Sequence, residues 1–161
     1  MIFDGTVADN LRIAKASAST AELKEVLECV ALTDWLRRAS GGLDYWVGPE
    51  GSRLSGGQRQ RLAIARTLLM APRILIQDEA TSCLDAPSEE LVLENLRSLL
   101  PKSTLIVVSH RPSTLARFKR VLVLAAGQII RDGTFDPGPI CPDVGAEPHC
   151  YSSARDNSSI V

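Results

Sequence analysis

Two short apolar runs constrain the fold of this chain more than anything else in it. Ile74-Leu75-Ile76 and Thr104-Leu105-Ile106-Val107-Val108 are continuous rather than alternating, as strands buried on both faces are. Between them, Ser88 to Leu100 has helical spacing, with Leu91, Val92, Leu96 and Leu99 inward and Glu89-Glu90 in the first turn, where the helix dipole favours acids. Strand, helix, strand in this order means a parallel pair joined by a right-handed crossover. The predicted fold class is therefore α/β, a parallel sheet with flanking helices. Open sheets of this kind bind ligands outside the carboxyl ends of their strands. Asp78-Glu79 and His110 stand at those two ends.

The rest of the chain is helical before this unit and irregular after it. Residues 1–18 read as turn and short helix around Asn10-Leu11-Arg12-Ile13. Ser19 to Val30 is predicted to be an amphipathic helix: Ser19 and Glu22 form a capping-box pattern, and Leu23, Val26, Leu27 and Val30 share a face. A second short helix is expected at Thr33-Asp34-Trp35-Leu36, with Thr33 as N-cap and Gly41-Gly42 as its stop. Leu43 to Arg53 is a loop. A longer helix runs from near Gly57 to about Met70, with Leu62, Ala65, Leu68 and Leu69 at helical spacing and Pro72 ending it. Val121–Ala125 and Gln128–Arg131 flank Ala126-Gly127 as strand, turn, strand. From Pro137 to residue 161 prolines and glycines crowd together without periodicity, and this tail is expected to be extended or disordered.

Composition excludes several classes of function. With 161 residues the chain is about one domain long. Its net charge of −1 gives no whole-molecule attraction for nucleic acid or anionic lipid. Cys29, Cys83, Cys141 and Cys150 have neither CxxC nor zinc-finger spacing and are expected to be free thiols in a reducing cytoplasm. His149-Cys150 would be half a metal site without the other half. No apolar run approaches the ~18 residues of a membrane helix, and Met1-Ile2-Phe3-Asp4 does not open a signal peptide. The expectation is a soluble cytoplasmic chain whose membrane association comes through a partner.

Four groups of residues carry chemistry. Ser55-Gly56-Gly57 precedes a helix: the glycines let backbone approach closely, the helix start presents N–H groups, and Ser55 adds a hydroxyl. Such a loop is either an anion cradle or an ordinary cap. At the end of the first strand, Asp78 offers the kind of oxygen ligand that Mg²⁺ takes alongside phosphate oxygens, and Glu79 stands ready to deprotonate a water. Asp85 can be the N-cap of the following helix, and His110 is a donor with tunable charge near neutral pH.

The string Leu54-Ser55-Gly56-Gly57-Gln58-Arg59-Gln60-Arg61-Leu62-Ala63-Ile64-Ala65-Arg66 resembles the signature motif of ABC ATPases over its whole length. Ile74-Leu75-Ile76-Gln77-Asp78-Glu79 resembles the Walker B motif, with Gln77 in place of the usual aliphatic residue, a change expected to weaken burial of the strand. Ser82-Cys83-Leu84-Asp85 resembles the D-loop, with Cys83 for a commoner alanine, and Ser109-His110-Arg111 the switch-histidine loop. Pro112 is unusual there but suits a helix start. Phe3 to Leu11 and Leu43 to Arg53 look like exporter-type cassettes.

The resemblance implies a partial P-loop NTPase-like, ABC-type parallel sheet with an α-helical subdomain. Residues 1–53 would be helical subdomain and loop, and 54–136 would run from signature to C-terminal strands. It implies ATP and Mg²⁺ as cofactors, Asp78 on the metal, and Glu79 as general base. His110 would contact the γ-phosphate. Ser55, Gly56, Gly57 and Gln58 would contact nucleotide held by a second cassette, and Asp85 would serve in the D-loop. The implied partners are that second cassette, head to tail, and transmembrane domains, with no nucleic acid. No lysine follows a glycine anywhere in the sequence, so the Gly-Lys-Ser/Thr of a P-loop is absent, as is the Q-loop glutamine. The expectation is a C-terminal part of an exporter cassette that is inactive alone. The competing classes are a non-transport ABC ATPase and a non-catalytic interaction fragment.

Overall fold

The computed structural model describes residues 1–137. In chain order they form α1 (Val7–Arg12), α2 (Thr20–Cys29), α3 (Thr33–Arg38), two 3₁₀ turns (Gly42–Asp44 and Pro49–Gly51), α4 (Gly56–Leu68) and β1 (Ile74–Asp78). There follow α5 (Ala86–Leu99), β2 (Thr104–Val108), α6 (Pro112–Leu115), β3 (Val121–Ala125) and β4 (Gln128–Gly133). Two compact units result, Met1–Leu105 and a second beginning at Ile106, so the division falls inside β2. Apart from Pro137, the tail expected to be disordered lies outside the described residues.

Local chemistry starts three of the helices in the first unit. Thr6 with Asp9, Ser19 with Glu22, and Ser55 with Gln58 each close a capping box, the side chain at N-cap accepting the N3 amide while the N3 side chain accepts the N-cap amide. In α2 the boxed Glu22 also pairs with Lys15. The Lys15 ammonium, then the Ser19 amide and hydroxyl, hold its carboxyl down at about 2. At α3 the expected cap is displaced: Leu32 occupies the N-cap position with no side-chain bond, and Thr33 lies inside the helix with its hydroxyl buried and unpartnered. The reason is a tight α2–α3 junction. Ala31 turns at φ 54° and Leu32 N–H donates to Leu27 C=O at 2.8 Å, so Leu32 takes the position before the first turn and is fully buried.

The core of this unit lies where α1 and α2 pack on α4 and α2 packs on α5. It is built from Val7, Leu11, Leu23, Leu27, Leu62 and Leu93 among others. Buried Asn10 ties down the N-terminal segment: its Nδ2 donates to Phe3 C=O (2.9 Å) and Thr6 C=O (3.0 Å), and its Oδ1 accepts Phe3 N–H (2.9 Å). From α4, Arg66 reaches the same segment, donating to Met1 C=O at 2.7 Å and lying 5.4 Å over the Phe3 ring.

Strands β1 and β2 are neighbours in a small parallel sheet, and where they begin Thr104 N–H donates to Arg73 C=O at 2.9 Å. Contrary to the expectation of a strand buried on both faces, β1 alternates: Leu75 and Gln77 are buried, whereas Ile74 and Ile76 are 60% and 64% exposed. Successive side chains point to opposite faces, and only one face is covered among the described residues. Gln77 does not weaken burial; it is only 3% exposed, and both polar atoms of its side chain lack partners. In β2, Val107 alone is fully buried. The inward stripe of α5 is also shifted from the expected one. It reads Glu89, Val92, Leu93, Leu96, leaving Leu91 45% exposed and Leu99 only half-buried.

In the second unit, α6 begins with Pro112 at its first turn, and β3 and β4 form the expected antiparallel hairpin, with a register shift between Val123 and Leu124. Arg120 and Asp132 close it with a bidentate pair at 2.8 and 2.7 Å.

Candidate functional site

The start of α4 is built by its own cap. Ser55 is extended (φ −66°, ψ 163°), its hydroxyl accepts Gln58 N–H at 3.2 Å, and Gln58 Oε1 accepts Ser55 N–H at 2.8 Å. Gly56 and Gly57 thus occupy the first two helical positions, where amides have no partner within the helix. The Ser55 O–H remains a donor beside them. The side chain of Gln58 is engaged in this box, which the S-x-x-Q pattern encodes although the family resemblance draws attention to the nucleotide instead.

Ahead of the cap, Gly48 and Gly51 turn at φ +77° and +71°. A side chain at Gly51 would be strained by its positive φ and tightly fitted, its Cβ 3.1 Å from Ile2 and 3.2 Å from Arg59. Arg61 fixes the other side of the helix start. It donates to Ala31 C=O at 2.8 Å and Gly57 C=O at 3.2 Å, and burial lowers the pKa of its guanidinium while the Asp85 charge opposes this.

At the end of β1, Asp78 and Glu79 are both exposed. Glu79 adopts the left-handed region at φ +46°, which a non-glycine residue enters only where its surroundings hold it. The turn that follows is closed by Ser82 N–H to Glu79 C=O (3.0 Å) and Leu84 N–H to Thr81 C=O (2.9 Å). It is anchored from below by a buried bond, Thr81 Oγ1 to Glu89 Oε1 at 2.6 Å, with Glu89 only 4% exposed. Asp85 is the N-cap residue of α5 by backbone geometry, without a side-chain capping bond. Its carboxyl is held below its ordinary pKa first by the Ser88 hydroxyl and, more weakly, by Arg61.

Two of the sequence-predicted groups come together in this unit: the signature residues at the start of α4 pack on the Ser82–Asp85 loop. The second unit holds His110, exposed just past β2, next to Ser109 whose hydroxyl accepts Arg111 N–H at 3.1 Å.

As for a metal, no cluster of three or more His, Cys, Asp or Glu side chains is found among the described residues. A Mg²⁺ ion takes one or two carboxylates and completes its shell with phosphate oxygens and water. Asp78, exposed at the strand end, is the residue that would hold it. Cys29 is buried and Cys83 exposed, and neither is in a disulfide. No helix among the described residues is long and apolar enough to cross a membrane.

Residues 2–82 match the family model described as ABC transporter. The heterocyst differentiation ATP-binding protein HepA of a Nostoc species is 42% identical over 134 residues, covering 83% of this chain and 22% of that protein. The ATP-dependent lipid A-core flippase of Xylella fastidiosa is 44% identical over 135 residues, 83% of this chain and 23% of the flippase. The β-(1→2)glucan export ATP-binding/permease protein NdvA of Rhodopseudomonas palustris is 44% identical over 136 residues, 84% of this chain and 23% of NdvA. Among solved structures, a bacterial Atm1-family ABC exporter with ATP bound superposes with a TM-score of 0.78 at 38% identity, over 83% of this chain and 23% of that one. This chain therefore spans less than a quarter of the length of these relatives.

Proposed function

This chain belongs to the ABC transporter family, in its exporter-type ATP-binding cassettes, and from that premise we propose that it closes on ATP held by a second cassette and so helps drive export. The observation that carries this reading is the start of α4: a capped serine and two glycine amides at a helix N-terminus, packed against the Ser82–Asp85 loop. Amides and a hydroxyl so placed suit the outer oxygens of a phosphate chain. Asp78 would hold Mg²⁺, whose chemistry when bound is to neutralise charge developing on the phosphates. In a full-length cassette with a P-loop of its own, Glu79 would take the proton of the attacking water and His110 would donate to the γ-phosphate. Within an assembled exporter the partners are a second cassette, head to tail, and transmembrane domains, with this chain on the cytoplasmic side.

The isolated chain turns over no ATP on this reading. Phosphoryl transfer depends on positioning, and the sequence has no Gly-Lys-Ser/Thr to cradle a nucleotide. Two measurements test it. Calorimetric ATP titration and phosphate release on the purified chain should show weak binding and no turnover. Mixed with an intact cassette that carries a P-loop, the chain should complete one composite site. That activity should vanish on Ser55→Phe and change less on Glu79→Gln in this chain. Micromolar ATP binding with steady turnover by the chain alone would sink the proposal.

A further inference from the structure

Gln60 lies on α4 beyond the capping box, and both ends of its amide are committed to another element. Its Nε2 donates to Ser82 Oγ at 3.1 Å, and its Oε1 accepts Cys83 N–H at 3.0 Å. A second, independent contact joins the same two segments. A Cβ on Gly57 would stand 3.2 Å from the Cys83 carbonyl oxygen and 3.2 Å from Leu84 Cδ2, so a side chain there would push the loop back by a few tenths of an ångström. One on Gly56 would lie 3.6 Å from Cys83 Sγ. The loop is fixed from its other side by Thr81 and Glu89. The two segments that would face a second cassette are thus fastened to each other within one chain.

We infer that Gln60 is a positioning residue that locks the Ser82–Asp85 loop to the start of α4, so that the two present a single rigid contact to the partner cassette. This rests on the proposed function for the identity of the partner, but the lock itself is a property of the chain. Replacement separates the lock from a mere surface role. Leucine equals glutamine in helix propensity and nearly in size, yet makes neither bond. Glutamate keeps the length, and its carboxylate accepts both Cys83 N–H and Ser82 O–H.

The experiment compares parent, Gln60→Leu and Gln60→Glu as the full chain, first by residue-resolved amide hydrogen exchange. Losing an acceptor worth a typical net hydrogen bond should speed exchange at Cys83 by ~3–10-fold in Gln60→Leu. The amides of residues 63–68 should be unchanged, and Gln60→Glu should return Cys83 to within about twofold of the parent. Three results overturn the lock: unchanged exchange at Cys83 in Gln60→Leu, equal acceleration along all of α4, or a glutamate variant no better than the leucine one. The second arm is ATP turnover with the intact P-loop cassette. Gln60→Leu should lower kcat with KM for ATP unchanged, and Gln60→Glu should restore kcat; a rise in KM alone would overturn the proposed rigid contact. If the parent mixture gives no turnover that Ser55→Phe removes, the proposed function fails, and the exchange arm alone decides the lock.

Discussion

At the scale of single residues, Gln77 and Glu79 are two departures from comfort on either side of Asp78. Gln77 is buried with an unsatisfied amide, which costs a few kcal/mol in an apolar setting. Gln77→Leu should therefore raise the unfolding free energy by about 1–3 kcal/mol in urea titration. An unchanged or lower midpoint would mean that the amide finds a partner in solution. Glu79 sits in the left-handed backbone region at φ +46°. In a full-length exporter, its replacement by Gln should lower turnover ~10²–10⁴-fold while ATP binding persists, as loss of a general base does. Turnover within a few-fold of the parent would remove Glu79 from that role. Cys29 is pushed up from 9.0 to about 11 by burial and, less, by Glu25. Because the unfolded thiol ionises first, this group makes stability fall as pH rises from 9.0 toward 11. Cys29→Ser, compared in melts across that range, should flatten the decline. The acids at the strand end are plain in the sequence. The strain at Glu79 and the isolation of Gln77 are not, because both depend on what the turn and the core place around them.

At the scale of elements, the helices were legible wherever cap and stripe agree. The α2 sequence shows both, and the structure keeps its box and its face of Leu23, Val26, Leu27 and Val30. In α5 the stripe begins at Glu89, a carboxylate buried against Thr81, so a reading by hydropathy passes over it and moves the face to Leu91. In α3 the cap was misplaced because the turn through Ala31 is set by packing of the preceding helix. Caps also make quantitative predictions. Ser55→Ala should cost ~1 kcal/mol of stability as an N-cap loss, read as a lower urea midpoint, independently of any effect on nucleotide. The Glu22 carboxyl, lowered to about 2 first by Lys15 and then by Ser19, contributes stability that is full above the ordinary value of 4.5. It is lost as pH falls toward 2, so Glu22→Gln should flatten the acid limb of the stability profile.

For the whole molecule, the order of strand, helix and strand fixed the class of fold, since a parallel pair needs a crossover and the crossover has one hand. What it left open is which side of β1 is covered, because a run of apolar residues looks the same whether one face or two are packed. The structure separates them, and substitution can confirm the assignment. Leu75→Ala should cost ~2–5 kcal/mol as a core truncation, whereas Ile74→Thr and Ile76→Thr should each stay within about 0.5 kcal/mol. Comparable losses at all three positions would show that both faces are packed in solution.

The tether between Arg66 and the first residues closes a long loop of chain on itself. Met1 and Arg66 are 65 positions apart in sequence, yet a hydrogen bond joins them, and the Arg66 guanidinium also lies over the Phe3 ring. These contacts bypass the intervening backbone, and Asn10 brackets the same segment from α1. The helix that carries Ser55 ahead of its first turn is thus tied, at its far end, to residues 1–3.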